Sequence, residues 1–196
     1  AEFEEAAGNL PVPREAWGFA ERAVTELLSD SGAMESALDV GCAVGRSSFE
    51  LARRAKRVVG VDYSRAFVDA CKTIQSAGEM SGEVLAEGER MQEFLARVPT
   101  VIDRGRVEFH VGDAMELPEL GAFDVVLGAN LICRLPDPRK FLARLPSLVK
   151  PGGQLLLATP FSWLEEFTPR EHWLGGRRDS PSSFEVLSQI LKSDFD

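Results

Sequence analysis

The stretch "ALDVGCAVGRSS", residues 37–48, decides the fold. It opens as a short apolar run that predicts a buried strand, and it continues into "RSSFELARRA", which has the pattern of a helix. Between them Asp39, Gly41 and Gly45 form D-x-G-x-x-x-G at a strand-to-helix junction. Because glycine has no Cβ, such a loop lets a ligand come close to the backbone. A lone glycine pair usually marks a tight turn, but a strand before it and a helix after it favour a binding loop.

The spacing of this loop restricts the ligand. A nicotinamide-binding loop reads G-x-G-x-x-G and seats a pyrophosphate on the helix N-terminus. Here Cys42 and Ala43 follow Gly41, so that spacing fails. An acid beside the glycine turn suits a ligand that has positive charge and no phosphate. S-adenosylmethionine, with its sulfonium and ammonium groups, meets that description.

The rest of the chain alternates between strand and helix patterns. Further strands are predicted at "RVVGVDY", "RVEFHVGD", "FDVVLGAN" and "QLLLATP". Helical stripes are formed by Trp17, Ala20, Val24, Leu27 and Leu28 (ending near Gly32), by Phe67, Cys71 and Ile74, by Phe141, Leu145, Leu148 and Val149 after Asp137, and by Phe184, Leu187, Ile190 and Leu191. This alternation predicts an α/β fold, a mostly parallel twisted sheet with helices on both faces, as one domain over residues 1–196. We interpret residues 78–105 as a solvated insert with a helical piece around Met91–Val98.

Composition excludes several classes of protein. The net charge of −9 argues against nucleic acid and acidic membranes, because phosphate binding needs clustered cations. No apolar run approaches the roughly 20 residues of a membrane span. Three cysteines without metal-ligand spacing fit a reducing cytoplasm, and two histidines are too few for a histidine-based metal site.

Acidic residues follow the next strands as well. Asp62 lies 21 positions after Gly41, where an acid at a strand tip accepts from both ribose hydroxyls. Asp113 follows the third strand, where it is a candidate acceptor from an adenine amino group, with the backbone of Ala114 at the ring edge. Simple helix capping is the alternative for each acid. Three acids at three successive strand tips, behind a glycine turn, together predict a cofactor site.

These motifs carry a family resemblance. "ALDVGCAVGRS", "VVGVDYS", "VGDAMELP", "FDVVLGANLICRL" and "VKPGGQLLLATP" resemble, in order, the motifs of class I S-adenosylmethionine-dependent methyltransferases, which have a Rossmann-like sheet. In that family the glycine loop holds the methionine part, the second-strand acid the ribose and the third-strand acid the adenine. The resemblance implies S-adenosylmethionine as cofactor, bound by Asp39, Gly41, Cys42, Gly45, Asp62, Tyr63, Asp113, Ala114 and Asn130.

A narrower resemblance covers the chain after the fifth strand. "GCAVGRSSFELAR", "ANLICRLPDPRKFLARLP" and "SWLEEFTPREHWLGG" look like the C-terminal methyltransferase domain of ovothiol synthases. The resemblance implies N-methylation of the imidazole of 5-thiohistidine (4-mercaptohistidine), with an iron-dependent sulfoxide synthase domain fused upstream. The chain departs from class I enzymes in ending before two further closing strands, and it opens on Ala1. We therefore expect a piece of a larger protein that lacks part of its sheet.

The segment "PFSWLEEFTPREHWLGG", residues 160–176, is our candidate acceptor wall and part of a lid. No catalytic residue is assigned, because a neutral imidazole nitrogen already carries the lone pair that accepts a methyl group. An amino-acid acceptor needs a cation for its carboxylate and an acid for its ammonium group. The candidate substrate-binding residues are Arg134 and Arg170 for the first, Glu165 and Glu166 for the second, and Phe161, Trp163 and Trp173 as flat faces. The alternative is a structural loop whose tryptophans plug the edge of the sheet.

Three other functions compete with this hypothesis. A generic methyltransferase for a phenol, quinone or amine shares every cofactor motif. An amino-methylating nucleic-acid enzyme needs Asn-Pro-Pro-aromatic after the fourth strand, whereas Leu131 and Ile132 follow Asn130 here. A non-catalytic, truncated methyltransferase-like module would keep the fold and lose the glycine loop or the acids.

Overall fold

A computed structural model describes residues 18–28 and 34–196. Their strands are β1 (Met34–Val40), β2 (Ala55–Asp62), β3 (Glu79–Glu87), β4 (Arg90–Arg97), β5 (Val107–Val111), β6 (Phe123–Ala129) and β7 (Val149–Ala158). Five of them form one sheet in the order β5-β2-β1-β6-β7. Every neighbouring pair in that sheet is parallel, so the predicted parallel α/β architecture is confirmed.

Helices precede, connect and follow these strands in the described residues. They are α1 (Phe19–Thr25), α2 (Arg46–Leu51), α3 (Arg65–Ala77), α4 (Pro138–Leu148) and α5 (Ser183–Leu191). Side chains at the helix N-termini satisfy backbone N–H groups that lack a partner in the first turn. Ser64 begins α3, Asp137 begins α4, and Ser182 with Glu185 forms a capping box at α5. In residues 18–28 and 34–196 no helix combines the length and apolar content needed to cross a membrane.

Two apolar layers cover the two faces of the sheet. Successive strand residues point to opposite faces, so Ala37 joins one layer and Leu38 the other. The first layer packs against α1, α2 and α3 through residues such as Phe49 and Val68. The second packs against α4 and α5 through Phe141 and the other members of its cluster. The predicted helices on both faces are therefore present.

The strand order places the ligand-binding edge. From β1 the chain moves outward to β2 and β5 on one side, and later to β6 and β7 on the other. The order therefore reverses between β1 and β6. In open parallel sheets, ligands bind in the crevice outside the carboxyl ends of the strands at such a reversal. The residues that follow β1, β2, β5 and β6 meet at this crevice.

The predicted helical piece at Met91–Val98 is wrong. This segment forms β4, which pairs antiparallel with β3 in a separate two-stranded hairpin. The residues of β4 are good helix formers, and their pairing with β3 overrides that local preference. Gly88, with φ of 55°, turns the chain between the strands, and Glu79 and Arg97 form an ion pair of 2.8 Å at the base. The hairpin is largely exposed, which agrees with the predicted solvated insert.

Two predicted helical stripes differ in detail. On α3, Val68 takes the buried position and Phe67 is 46% exposed, because Phe67 lies at the cleft described below. On α1, Val24 is buried and Leu27 is half-exposed. Trp17 and Gly32, which belong to the predicted α1 stripe and its end, lie outside the described residues.

Candidate functional site

A cleft of about 700 Å³ opens at the carboxyl edge of the sheet, where the strand order reverses. Residues that follow β1, β2, β5 and β6 form its floor and sides. Of the predicted cofactor residues, those lining it are Gly41, Cys42, Asp62, Tyr63, Asp113, Ala114 and Asn130. Of the predicted substrate residues, Arg134 and Glu166 line it. The topology thus brings together side chains that are far apart in the sequence.

The loop after β1 is held tightly against β2. The N–H groups of Gly41 and Cys42 both donate to the carbonyl oxygen of Val61, at 2.8 and 3.2 Å. Gly41 has φ of 76°, a conformation that side chains with a Cβ rarely adopt. A Cβ on Gly41 would also lie 3.0 Å from Leu131 Cδ1 across the cleft. The backbone conformation therefore favours glycine at this position, and any larger side chain would also displace Leu131.

Asp62 connects two segments at the tip of β2. Its Oδ2 accepts the backbone N–H of Ala43 and its Oδ1 accepts that of Ser64, each at 2.8 Å. Ala43 has φ of 47°, so this hydrogen bond stabilises a strained turn of the loop after β1. Each carboxylate oxygen keeps a further lone pair for a donor in the cleft. The capping of α3 itself is done by Ser64, which accepts from the N–H of Phe67.

Asp113 begins a 3₁₀ turn at the tip of β5. Its Oδ1 accepts the N–H of Met115 at 2.8 Å, which is the capping role weighed as the alternative. Among the described residues, no donor reaches its other carboxylate oxygen. Gly112, which the sequence analysis did not single out, also lines the cleft. A Cβ there would lie 2.8 Å from Val61 Cγ1, so glycine lets β5 end close beside β2.

Asp39 and Gly45 do not line the cleft. Asp39 is 1% exposed, and its Oδ2 accepts the hydroxyls of Ser47 and Ser48 at 2.7 and 2.6 Å. Burial raises the pKa of the Asp39 carboxyl to about 6, against the lowering effect of these hydrogen bonds, and the Asp62 charge raises it further. Gly45 begins α2 with φ of 85°, and a Cβ there would lie 2.8 Å from Phe109 Cζ beneath the loop. The structure therefore places both residues under the loop, where they shape it.

Cys42 is a buried thiol at the cleft. The neighbouring Cys71 thiol and burial both raise the pKa of the Cys42 thiol above its ordinary value. The thiol is therefore protonated at neutral pH and is a poor nucleophile. The buried position of the Cys42 side chain is consistent with a packing role. Its backbone N–H already donates a hydrogen bond to the carbonyl oxygen of Val61.

The two tryptophans of residues 160–176, predicted as flat faces of the acceptor wall, stack on each other and do not line the cleft. Their rings stack with centroids 6.3 Å apart. The Trp163 indole N–H donates to Ser183 Oγ on α5 at 2.8 Å, and the Trp173 indole N–H donates to the carbonyl oxygen of Thr168 at 2.9 Å. An indole N–H that is partly buried needs such a partner, and both partners here are structural. Trp163 thus connects residues 160–176 to α5, and Trp173 connects two parts of the same segment.

Three further predicted acceptor residues lie outside the cleft. Phe161 packs against the apolar layer that faces α4 and α5. Glu165 and Arg170 form an exposed ion pair of 3.9 Å, and Arg170 also lies over the Trp173 ring. An irregular segment has no regular alternation of inward and outward side chains. Its sequence therefore does not show which side chains face inward.

At its turn, the same segment presents Glu166 and Phe167 to the cleft. The guanidinium of Arg134, just after β6, lies 5.0 Å from the centre of the Phe167 ring. In the part of the chain that the structure describes, no carboxylate forms an ion pair with Arg134. This side of the cleft therefore combines a cation, an acid and a flat aromatic ring.

The sequence analysis missed further lining residues. Apolar walls come from α1, α3 and the segments after β5 and β6: Phe19, Ala20, Phe67, Met115, Leu131, Leu135 and Pro136. Arg46 also lines the cleft, and Glu21 and Glu50 neutralise it at 3.1 and 2.9 Å. Phe67 is exposed although it belongs to an otherwise buried helical stripe, so the hydrophobic periodicity of the sequence could not identify it as a lining residue. Across residues 18–28 and 34–196, no cluster of His, Cys, Asp and Glu has an arrangement that holds a metal ion.

Comparison with known proteins identifies the domain. A family model described as "Methyltransferase domain" matches residues 38–157, which is more than half of the chain. The magnesium-protoporphyrin O-methyltransferase of Rhodobacter capsulatus is 32% identical over 145 residues, which are 69% of this chain and 53% of that protein. The ubiquinone biosynthesis O-methyltransferase of Sodalis glossinidius is 28% identical over 174 residues, 85% of this chain and 59% of that protein. The chain thus spans about half the length of these curated relatives.

Solved structures agree on the fold. The N-methyltransferase NodS from Bradyrhizobium japonicum, in complex with S-adenosyl-L-homocysteine, superposes with a TM-score of 0.51 at 19% identity. The superposition covers 76% of this chain and 63% of NodS. The chain therefore belongs to the methyltransferase domain family, as a class I S-adenosylmethionine-dependent methyltransferase domain.

Proposed function

We propose that this chain transfers the methyl group of S-adenosylmethionine to a small-molecule acceptor. The observation that carries the proposal is the convergence of Gly41, Asp62 and Asp113 on one cleft. These residues follow three neighbouring strands, β1, β2 and β5, at the edge where the strand order reverses. Such a cleft is where open parallel sheets bind their ligands.

The donor and acceptor groups of the cleft fit this cofactor. Asp62 has a free lone pair on each carboxylate oxygen for the two ribose hydroxyls. Asp113 offers an oxygen to an amino group, and the apolar side chains of Met115 and Leu131 suit a flat ring. Gly41 allows the left-handed turn that brings the loop backbone to the cleft. Arg46, next to the glycine loop, is already neutralised by two glutamates, so the loop itself offers little to a phosphate.

When bound, S-adenosylmethionine supplies a methyl group on a positively charged sulfur. The chain's residues then have three tasks: to hold the cofactor, to align the acceptor's lone pair in line with the methyl group, and to exclude water. The strand tips serve the first task. Leu131, Leu135 and Pro136 give the cleft apolar walls, which suit the third task. Neither the alignment nor the exclusion of water requires a metal ion.

The relatives support a generic small-molecule acceptor. One relative is named as an O-methyltransferase of magnesium protoporphyrin, and the other as an O-methyltransferase of ubiquinone biosynthesis. The acceptor side of this cleft is open and partly apolar, with Phe167 as its flat face. These features suit a planar acceptor better than a macromolecule.

A second candidate is N-methylation of 5-thiohistidine, as the resemblance to ovothiol synthases implies. Arg134 and Glu166 favour it, because their opposite charges lie at the same cleft as a flat ring. A carboxylate, an ammonium group and an imidazole would each find a partner there. Trp163, Trp173 and Arg170, which pack elsewhere, lend this candidate no support.

Turnover with S-adenosylmethionine labelled on its methyl group tests the proposal. The acceptors are magnesium protoporphyrin, a catechol, a phenol, 5-thiohistidine and plain histidine. We expect label transfer to at least one of them, and its loss in Asp62→Ala. A preference for the catechol supports the generic acceptor, and a preference for 5-thiohistidine over histidine supports the second candidate. A chain that neither binds the cofactor nor transfers label contradicts the proposed function.

A further inference from the structure

The guanidinium of Arg134 has one edge occupied and one edge available. Its Nη1 donates to the carbonyl oxygens of Cys133 and Ser162, at 3.0 and 2.9 Å. Its Nη2 donates to Ser162 Oγ at 3.3 Å. Ser162 therefore occupies the end of the guanidinium, where Nη1 and Nη2 lie side by side. In the described residues, the side edge formed by Nε–H and the second Nη2–H donates to no protein group.

The available edge is the one that binds carboxylates in two parallel hydrogen bonds. Arginine presents its N–H donors in a fixed fork that matches a carboxylate, and such charge-assisted pairs are stronger than neutral hydrogen bonds. Ser162 and the Phe167 ring hold the guanidinium in place before any ligand arrives. A pre-oriented cation costs less entropy to use than a mobile one. Arg134 also lines the same cleft as the cofactor residues.

We propose that Arg134 binds a carboxylate of the methyl acceptor and so selects acceptors that carry a carboxylate together with a planar ring. This inference rests on the proposed function and names the acceptor class for the same cleft. Phe167 gives the acceptor a flat face, and Arg134 fixes its carboxylate so that the reacting atom faces the glycine loop. Aromatic carboxylates and aromatic amino acids share this chemistry.

Two pairs of probes separate the two sources of the carboxylate. The first pair is 3,4-dihydroxybenzoate and 3,4-dihydroxybenzamide, and the second is L-histidine and L-histidinamide. Within each pair the ring is unchanged and the negative charge is removed. Each probe is titrated by calorimetry into the chain saturated with S-adenosylhomocysteine. We expect at least one carboxylate to bind tenfold more tightly than its amide, and the pair concerned identifies the source.

Variants test whether Arg134 is responsible. In Arg134→Gln the preference for the carboxylate should fall below threefold, while affinity for S-adenosylhomocysteine stays within threefold of the parent. Arg134→Lys keeps the positive charge but lacks the paired N–H donors of the guanidinium. It should lose at least two thirds of the preference for the carboxylate over the amide. Ser162→Ala removes only the 3.3 Å hydrogen bond to Oγ and retains the 2.9 Å bond to the backbone carbonyl, so it should keep most of the preference. Arg139→Gln removes an exposed arginine on α4, outside the cleft, and is the matched control.

Several results overturn the inference. These are equal affinity of each carboxylate and its amide, no measurable binding of either carboxylate, or a preference that persists in both Arg134 variants. Failure of the parent to bind S-adenosylhomocysteine is a different result, which contradicts the proposed function itself. If Arg134→Gln loses the cofactor, Arg134→Lys decides the question in its place.

Discussion

The backbone N–H of Ala43 donates to Asp62 Oδ2 at 2.8 Å and so joins the loop after β1 to the tip of β2. Ala43 adopts a left-handed φ of 47°, a conformation that residues other than glycine rarely adopt. The carboxylate that we assign to the ribose therefore also holds the glycine loop in shape. Binding and loop geometry depend on the same side chain.

Asp62→Ala should weaken cofactor binding by at least tenfold. The lost charge-assisted hydrogen bonds are worth roughly 1.5–3 kcal/mol, and the released Ala43 loop adds to the loss. Asp62→Asn should bind more tightly than Asp62→Ala, since one amide oxygen can still accept. Isothermal titration with S-adenosylmethionine measures both, and Asp69→Ala on the exposed side of α3 is the control. An unchanged dissociation constant for Asp62→Ala would sink the assignment.

Gly41→Ala and Gly121→Ala form a matched pair, because both glycines have φ of 76°. Each alanine variant should lose about 1–2 kcal/mol of unfolding free energy from the left-handed backbone. A Cβ at position 41 also meets Leu131 in the cleft, whereas a Cβ at position 121 meets nothing within 4 Å. Cofactor affinity should therefore fall in Gly41→Ala and stay unchanged in Gly121→Ala. Equal affinities in the two variants would place the binding loop elsewhere.

Asp39→Asn should flatten the pH dependence of stability. Burial raises the folded-state pKa of Asp39 to about 6, above its value in the unfolded chain. The folded state then holds the proton more tightly, so this group's contribution is present below about pH 4 and is lost as the pH rises through 6. The loss amounts to at most about 3 kcal/mol, because one pKa unit corresponds to about 1.4 kcal/mol.

Denaturant unfolding of the parent and Asp39→Asn between pH 4 and pH 7 measures this difference. The unfolding free energy of the parent should fall relative to that of the variant across this range. A difference between the two proteins that stays constant with pH would show that Asp39 does not titrate there.

Trp163→Ala should lower stability with little effect on cofactor affinity. Its indole stacks on Trp173 and donates to Ser183, so truncation opens a gap between the segment and α5 and costs about 2 kcal/mol or more. Leu164→Ala, which truncates an exposed neighbour, should cost well under half of that. Thermal unfolding and titration with S-adenosylhomocysteine compare the two. A stable Trp163→Ala variant with a raised Michaelis constant for the acceptor would restore the tryptophan to the acceptor wall.

The strand tips were predictable because their signals are local. An apolar run that ends in Asp62 or Asp113 marks both the strand and its carboxyl end, and parallel order then brings those ends together. The hairpin of β3 and β4 was not predictable in this way. Its residues favour a helix when taken one by one, and their pairing with each other decides the structure.

The acceptor side was predicted in part, for a similar reason. Arg134 follows β6 directly, so its place at the cleft can be inferred from the strand. Glu166 and Phe167 share an irregular segment with Trp163 and Trp173, and one pair faces the cleft while the other packs beneath. Which pair faces the cleft depends on the hydrogen bonds from the two indoles to Ser183 and Thr168. These hydrogen bonds are known only from the three-dimensional structure.

The central claim is that the glycine loop and the acids at the strand tips form a cofactor site. Calorimetric titration of the chain with S-adenosylhomocysteine, alongside Gly41→Val, tests it most directly. Valine at position 41 adds a Cβ that would lie 3.0 Å from Leu131 Cδ1, and two further carbons, where the backbone must approach the ligand. We predict saturable heat of binding for the parent and none for Gly41→Val, with both proteins folded by circular dichroism. Absence of heat from the folded parent, or equal heat from the two proteins, would contradict the claim.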